Sequence, residues 1–314
     1  SRFNGFLEVV LGWKQLGDSS TDIPDPVREK YKERGIDSVF VYKRNPKSPQ
    51  QIVLVEAKTI ERTRNMGQAK LQEWVAGLHA KLERLPLAQA FRDKFQPETD
   101  AQYQLGLIGL WVRDVKTYSH SQLQAWLSRV YVPKRKTPCY IGMISNQTIT
   151  RLCAIHKAIG EFKSSDMCRS IRYHFPDYGE KPPTDGLSMP FEAVFSKFVF
   201  CKAGMLQPTK GNSPPVPYEA YIVFYLGDIQ SYPDLRFIGL ALRQFQMLKT
   251  DELIVYTLRD PVDIRNETVA FKEEFQLTTT SPGQVNTLGQ SENNVEFRQL
   301  VPNNQLPSWM VRYD

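Results

Sequence analysis

The side chains best suited to chemistry lie at the ends of two neighbouring apolar runs. Residues 35–42 and 51–59 are rich in β-branched and apolar side chains, and the loop between them contains two prolines, so they predict a β-hairpin. Glu56 and Lys58 are two residues apart, and alternate side chains of a strand project from the same face. Asp37 stands near the start of the partner run. The hairpin would therefore bring Asp37, Glu56 and Lys58 to one edge of a small sheet.

This combination of charges fits metal-assisted hydrolysis. Asp37 and Glu56 offer the hard oxygen ligands that Mg²⁺ prefers, together with water and phosphate oxygens. Lys58 could position or help deprotonate an attacking water, or stabilise charge on a scissile phosphate. Two carboxylates and an ammonium group are otherwise costly to bury. For the Glu/Lys pair alone, an ordinary strand end at the surface is the alternative.

Asp37 followed by Glu56 and Lys58 resembles the active-site signature of the PD-(D/E)xK nuclease superfamily, with Ile36 at the place of the namesake proline. The resemblance covers the N-terminal half only. It implies an α/β fold with a mixed sheet and an αβββαβ restriction-endonuclease-like core. It also implies cleavage of nucleic-acid phosphodiesters with Mg²⁺ or a similar ion such as Mn²⁺.

Two further site residues follow from the resemblance. Residues 3–16 have helical spacing, and Glu8 at the edge of that helix matches a glutamate that completes the metal site in many members; a solvated helix edge is the equal alternative. Gln68 extends the apolar stripe of a helix predicted over 67–85, where members often carry a glutamine near the metal. We therefore expect Gln68 on the buried side, needing a polar partner, in preference to the alternative of a simple helix-start glutamine. The implied catalytic set is Asp37, Glu56, Lys58 and Gln68, and the implied metal ligands are Glu8, Asp37 and Glu56.

Strands and basic residues around these positions complete the expected domain. A buried-looking strand over 103–115 would end the αβββαβ core. Only two obvious strands precede the helix at 67–85, so the third is expected to be short or hidden in the bend at 42–51. Basic residues near the hairpin and the following loop could contact phosphates, although a solvated surface is the default for each one. These residues are Lys43, Arg44, Arg62, Arg64 and Lys70.

Composition narrows the class of protein. The chain has 314 residues, of which 41% are hydrophobic and 24% charged, as in ordinary globular proteins. No apolar run approaches the ~20 residues of a membrane span, and no signal peptide is visible, so we expect a cytoplasmic protein without a membrane partner. The four cysteines and four histidines are scattered, which argues against a zinc site or a disulfide framework. The net charge of +6 is compatible with a polyanionic partner.

A shift toward Pro, Gly, Asp and Lys between 164 and 189 predicts a domain boundary. We expect a nuclease-like domain at 1–175 and a C-terminal α/β domain at 185–314, serving a partner, specificity or oligomerisation. The second domain is predicted from the strand–helix–strand pattern over 218–258. P-loop and nucleophile-elbow motifs are absent, so any ATPase would be a separate protein.

The resulting hypothesis is a metal-dependent DNA endonuclease, with DNA chosen by analogy to the superfamily. The protein could act in a bacterial restriction or phage-defence system together with a separate ATPase or helicase. It could also form a homodimer. The alternative is a non-catalytic subunit that keeps the nuclease fold to bind nucleic acid or to support structure. An enzyme acting on small nucleotides would lack any base-binding signature in the sequence.

Overall fold

The chain forms two compact units in a computed structural model that describes residues 2–24, 34–132, 138–176, 184–207, 214–277 and 294–302. The first unit contains the described parts of 2–152 together with 188–195. The second contains those of 153–187 and 196–302. The path of the chain thus alternates between the two units. The boundary expected between 175 and 185 stays a prediction.

The first unit holds most of the early helices and strands. Within its described residues they are α1 (Arg2–Val9), β1 (Lys14–Leu16), β2 (Thr21–Ile23), β3 (Arg34–Ile36), β4 (Ser38–Tyr42), β5 (Gln51–Ile60), α2 (Gln68–Arg84), α3 (Gln89–Phe95), β6 (Gln102–Val112), α4 (His120–Leu127), β7 (Tyr140–Ile144), the first part of α5 (Asn146–Lys163) and α6 (Phe191–Val194).

A mixed sheet forms the centre of the first unit. Its described strands follow the order β1-β4-β5-β6-β7, while β2 and β3 pair with each other in a separate two-stranded sheet. Strands β1, β4 and β5 are antiparallel, whereas β5, β6 and β7 are parallel. The order α1, β1, β4, β5, α2, β6 is the expected αβββαβ arrangement. The predicted mixed α/β fold is therefore confirmed.

The start of the chain differs from the predicted helix over 3–16. Helix α1 ends at Val9, and Gly12 adopts a φ of 70°, in the left-handed region that glycine enters without strain. Strand β1 follows directly. With three residues it supplies the missing core strand as a short one, so the first of the two expected alternatives holds and a strand hidden at 42–51 is wrong. The apolar spacing was misleading because Leu11 and Trp13 are buried without being helical.

Helices cover both faces of this sheet. A Cβ atom on Gly106 would come within 2.9 Å of Leu78 from α2, and one on Gly109 within 2.1 Å of Phe3 from α1. Positions 106 and 109 of β6 are an odd number of residues apart, so their side-chain directions point to opposite faces. Helix α2 therefore packs on one face and α1 on the other.

The second unit is built on another mixed sheet. Its described elements are the rest of α5, β8 (Cys168–Phe175), β9 (Thr184–Gly186), β10 (Phe198–Gln207), β11 (Val216–Tyr225), α7 (Tyr232–Gln244), β12 (Glu252–Thr257), α8 (Arg265–Phe275) and β13 (Asn294–Gln299). The strand order is β13-β12-β11-β10-β8-β9, with β11, β12 and β13 parallel.

Apolar side chains from α7 and α8 pack on one face of this second sheet, around Ile238, Phe271 and Val255. On the opposite face, Phe162 of α5 contacts Tyr256 edge to face, with ring centroids 6.4 Å apart. The strand–helix–strand pattern predicted over 218–258 corresponds to β11, α7 and β12.

Two global features can be compared with the sequence. Among the described helices, none combines the length and apolar character needed to cross a membrane. Cys139, Cys153, Cys168 and Cys201 are all free thiols.

Candidate active site

Asp37 interrupts the first apolar run of the hairpin. Its Oδ2 accepts a hydrogen bond from the backbone N–H of Ala57 at 2.8 Å, and its backbone carbonyl accepts one from the N–H of Ser20 at 2.8 Å. The single strand predicted over 35–42 is therefore divided into β3 and β4. Because the side chain bonds to the neighbouring strand β5, its position beside that strand is fixed.

Glu56 and Lys58 lie on β5, on the face whose other side chains include Ile52 and Leu54. The side chain of Glu56 is buried, with 7% of the residue exposed. The Lys58 ammonium donates to Glu56 Oε2 at 2.5 Å and lies 3.9 Å from Asp37 Oδ2. One ammonium group thus reaches both carboxylates, and the three side chains expected from the sequence do come together.

A second lysine completes this cluster. Lys81 of α2 donates a hydrogen bond to Glu56 Oε1, so both oxygens of the buried carboxylate are bound to ammonium groups. Lys81 was not predicted from the sequence to be a site residue. The available signal was its place beside Leu78 and Leu82, two members of the apolar stripe that packs on the sheet. We name Asp37, Glu56, Lys58 and Lys81 the charge cluster.

The charge cluster keeps Glu56 ionised. Burial by itself raises the pKa of the Glu56 carboxyl, because desolvation penalises the charged form. The hydrogen bonds and positive charges of Lys58 and Lys81 outweigh burial, so the pKa lies below its ordinary value. At neutral pH the site therefore presents an ionised carboxylate in a largely dry environment.

Gln68 does not join this cluster, and the expectation that it is buried is wrong. It is exposed at the first position of α2, and its Nε2 donates to the backbone carbonyl of Arg129 at 3.2 Å. Thirteen residues separate Gln68 from Lys81, which is about 20 Å along a helix. Lys81, near the opposite end of α2, is therefore the residue of this helix that reaches Glu56. A catalytic role for Gln68 has no support from this position.

Glu8 is also exposed, and the expected set of three carboxylate ligands is not assembled. Nowhere in the described part of the chain do three His, Cys, Asp or Glu side chains gather as a metal cluster. Asn4 occupies the buried face of α1 instead, and its Oδ1 accepts a hydrogen bond from the hydroxyl of Ser38 at 3.1 Å. Of the proposed metal ligands, the structure brings together only Asp37 and Glu56.

The predicted phosphate-contacting residues do not form one patch. Lys43 and Arg44 follow β4 at the turn of the hairpin, whereas Arg62 and Arg64 follow the far end of β5. Lys43 pairs with Glu98 at 2.7 Å, Arg44 with Glu192, and Arg62 with Asp114 at 3.3 Å. The ammonium of Lys70 lies 5.7 Å from the ring centroid of Trp74. Their role in binding nucleic acid stays a prediction.

The donor atoms fit a hard divalent cation. Asp37 is partly exposed, and its Oδ1 has no hydrogen-bond partner among the described residues, so it is open to a ligand. Glu56 adds an ionised carboxylate. Mg²⁺ typically takes one or two protein carboxylates and completes its shell with water and phosphate oxygens, so two ligands are sufficient.

The αβββαβ order is typical of the PD-(D/E)xK nuclease class, with Glu56 and Lys58 on β5 and Asp37 beside them between β3 and β4. Residues 2–148 match the family model of the GAPS4 protein PD-(D/E)XK nuclease domain. The predicted resemblance of the N-terminal half to this nuclease superfamily is therefore confirmed over residues 2–148. Domains of this class act on nucleic acid and generally use divalent metal ions. No curated protein matches the chain.

Proposed function

We propose that the protein is a metal-dependent endonuclease that hydrolyses DNA phosphodiester bonds at Asp37, Glu56 and Lys58. The observation that carries this proposal is the Lys58 ammonium, which lies within 2.5 Å of Glu56 Oε2 and 3.9 Å of Asp37 Oδ2. A nuclease of this class needs two carboxylates and one ammonium at a common point. All three lie inside the region that matches the nuclease family.

Each side chain has a separate task in the proposed reaction. A divalent cation held by Asp37 and Glu56 would supply Lewis-acid chemistry at the scissile phosphate. Lys58 orients the attacking water or stabilises the charge that develops on the phosphate oxygens. Lys81 touches Glu56 rather than the open side of Asp37, so it is a positioning residue. It holds the carboxylate ionised and in place.

Cleavage of supercoiled and linear DNA in Mg²⁺ or Mn²⁺ tests the proposal. We expect the wild type to cut, and Glu56→Gln and Lys58→Met to lose about 100-fold or more, since each removes charge acting directly on the transition state. Parallel reactions on single-stranded DNA and on RNA establish the substrate. A wild type that cuts RNA and leaves DNA intact would contradict the choice of DNA.

Matched controls separate chemistry from folding. Glu61→Gln removes an exposed carboxylate just beyond the end of β5, and Lys157→Met an exposed ammonium on α5. Both variants should cut like the wild type. Equal cutting by Glu56→Gln and the wild type would exclude the charge cluster as the active site.

A non-catalytic nucleic-acid-binding or structural subunit is the second candidate, and the charge cluster itself favours it in one respect. Two carboxylates and two ammonium groups balance without any metal, so the buried Glu56 has its partners already. Metal binding discriminates between the two candidates. If the protein is an enzyme, calorimetric titration should show Mn²⁺ binding that the Asp37→Asn substitution abolishes. If it is a non-catalytic subunit, the titration should show no Mn²⁺ binding.

The proposed setting is anti-phage defence, because the matching family is associated with it. The four free thiols agree with a reducing, cytoplasmic compartment. The second unit would supply specificity, self-association or docking to a separate ATPase or helicase. Purification of the native protein with and without crosslinking tests for such a partner, and light scattering tests for a homodimer. Recovery of the protein as a monomer without an associated protein would contradict both the ATPase or helicase partner and the homodimer.

A further inference from the structure

A cleft of about 560 Å³ lies in the second unit, between the end of α5 and the first residues of β12. Its volume falls in the range of roughly 300–1,000 Å³ that small-molecule sites occupy. It is lined entirely by residues of the second unit and so is separate from the charge cluster. The lining residues that matter are Phe162, Met167, Met205, Glu252, Tyr256 and Arg298.

Glu252 is the most informative of these residues. It is the first residue of β12 and is 8% exposed. Its Oε2 accepts a hydrogen bond from the hydroxyl of Tyr218 at 3.0 Å, and its Oε1 has no hydrogen-bond partner in the described part of the chain. A carboxylate has about four acceptor positions, so most of its capacity is unused. A buried acceptor on the wall of a cleft can be satisfied by a ligand that donates.

Within the described part of the cleft, no cation is hydrogen-bonded to Glu252. Among the described lining residues, Arg298 is the only cation, and it donates to both oxygens of Glu296 at 2.7 Å. Its guanidinium also lies 5.2 Å from the ring centroid of Phe162. Burial and the charge of Glu296 raise the pKa of the Glu252 carboxyl, and they outweigh the Tyr218 hydrogen bond and the charge of Arg298, which lower it. The site therefore favours neutral N–H donors over a phosphate or another anion.

One part of the cleft wall is apolar and contains two aromatic rings. Phe162 and Tyr256 meet edge to face, and Met167 and Met205 also line the cleft. Glu252, Ile254 and Tyr256 alternate along β12 and face the same side of the sheet. A planar ring on the apolar wall would consequently reach Glu252 with its edge.

We propose that this cleft binds a guanine-type base, whose adjacent ring N–H and amino N–H groups donate to the Glu252 carboxylate. Guanine is the common base with two neighbouring donors on its pairing edge, and a carboxylate accepts such a pair in a bidentate manner. Inosine lacks the amino group, and adenine has an acceptor in place of the ring N–H. The base enters either as a free nucleoside or nucleotide or as part of a nucleic-acid strand.

Calorimetric titration of the full chain with guanosine, inosine and adenosine tests the proposal. Guanosine should bind saturably, and the other two at least about tenfold more weakly, because each leaves a buried acceptor unpaired. Equal affinity for the three nucleosides, or no binding of guanosine at millimolar concentration, would overturn the proposal.

Substitutions test whether Glu252 is the residue that binds guanosine. Glu252→Gln should weaken guanosine binding at least about tenfold, because the amide places a donor opposite a donor. Glu219→Gln is the matched control. Glu219 is the neighbour of Ala220, the register partner of Glu252, and it points to the opposite face, where it pairs with Lys202 at 2.9 Å. The Glu219→Gln variant should bind guanosine as tightly as the wild type does. Unchanged binding by Glu252→Gln would refute the site.

A second variant guards against misfolding of the first. Ser165→Phe places a ring at the half-buried rim of the cleft and should block guanosine while leaving the thermal midpoint within a few degrees. Retained affinity in this variant would place the ligand elsewhere. Guanine-containing and guanine-free oligonucleotides then identify the source. If the guanine-containing oligonucleotide binds more tightly than guanosine does, the natural ligand is part of a nucleic-acid strand. If it binds more weakly, the ligand is the free nucleoside.

Discussion

Lys81 determines how charge is balanced around the buried Glu56. With Lys58, it supplies two positive charges to match the two carboxylates, so the charge cluster is neutral as it stands. Lys58 lies between the two carboxylates, where a cation shared by them would compete with it. Lys81 approaches Glu56 from α2 and does not contact Asp37 in the described structure. In the proposed reaction the two lysines therefore differ in role, with Lys58 at the reaction centre and Lys81 as a support.

Replacing Lys81 should reveal this support. In metal-free buffer at pH 7, we expect Lys81→Met to lower the free energy of unfolding by about 1–3 kcal/mol, because a buried carboxylate loses a charged donor. Urea unfolding measures the change. Lys94→Met, at an exposed position of α3, should stay within about 0.5 kcal/mol of the wild type. Equal stability of both variants would show that the Lys81–Glu56 contact is not formed.

Glu252 should make stability depend on pH in the opposite sense from an ion-paired carboxylate. Its pKa is raised in the folded state above the ordinary 4.5, so ionisation costs the folded state more than the unfolded one. The penalty is absent below pH 4.5 and complete above the folded pKa. Glu252→Gln should thus be more stable than the wild type at pH 7 and equal to it near pH 4, by urea unfolding. A constant difference across this interval would contradict the shift.

Helix α1 approaches strand β6 closely in the first unit. Phe3 of α1 packs directly over Gly109 of β6, where a Cβ atom would come within 2.1 Å of the ring. Strand β6 pairs with β5, and Ala57, whose N–H binds Asp37, is opposite Gly109 in that pairing. The packing of α1 therefore affects the strand pair that carries the proposed active site.

Gly109→Ala should lower the free energy of unfolding by about 1–3 kcal/mol, because the added methyl group must displace Phe3 or the strand. Denaturant unfolding measures it. In the exposed part of α2, Gly77→Ala meets no atom within 4 Å and should be neutral or stabilising by up to about 1 kcal/mol. Adding Phe3→Leu to Gly109→Ala should recover part of the loss, and a purely additive double variant would exclude the clash.

The sequence predicted the elements that carry long, regular patterns. The hairpin and helix α2 were recognisable because period-two and helical spacings continue over many residues, and Asp37, Glu56 and Lys58 followed from them. Strand β1 has three residues, too few for a periodicity, and it follows an apolar stretch with helical spacing. Lys81 is 25 residues from Glu56 in the chain, and only the packing of α2 on β5 brings them together. Gln68 was misplaced because a position one step beyond an apolar stripe need not be buried.

At the scale of the whole molecule, the first unit is not one continuous piece of chain. Residues 188–195 return to it after an excursion through the second unit. The carbonyl of Met189 accepts a hydrogen bond from Trp13 Nε1 at 2.6 Å, and the N–H of Phe191 donates to the hydroxyl of Tyr42 at 3.1 Å. Phe191 is 4% exposed, with its ring centroid 6.4 Å from that of Trp13. We name residues 188–195 the return segment.

Phe191→Ala should therefore destabilise the first unit, by about 3–5 kcal/mol as for other buried phenylalanines. Tryptophan fluorescence during unfolding reports on this unit, because four of the five tryptophans, Trp13, Trp74, Trp111 and Trp126, lie in it, while Trp309 is outside the described residues. Leu187→Ala, four residues earlier and 79% exposed, should have almost no effect. An unchanged fluorescence transition in Phe191→Ala would mean that the return segment contributes no stability.

The return segment also sets an order of events during protein synthesis. A ribosome adds roughly 5–20 residues per second, and it makes residues 153–187 before the return segment. Until residue 195 has left the exit tunnel, the indole of Trp13 has no acceptor from Met189, and Phe191 does not yet cover it. The nuclease half therefore completes its packing only after the first strands of the second unit have been synthesised. A nascent chain that stalls or is cut near residue 175 would carry Asp37, Glu56 and Lys58 on an unfinished scaffold.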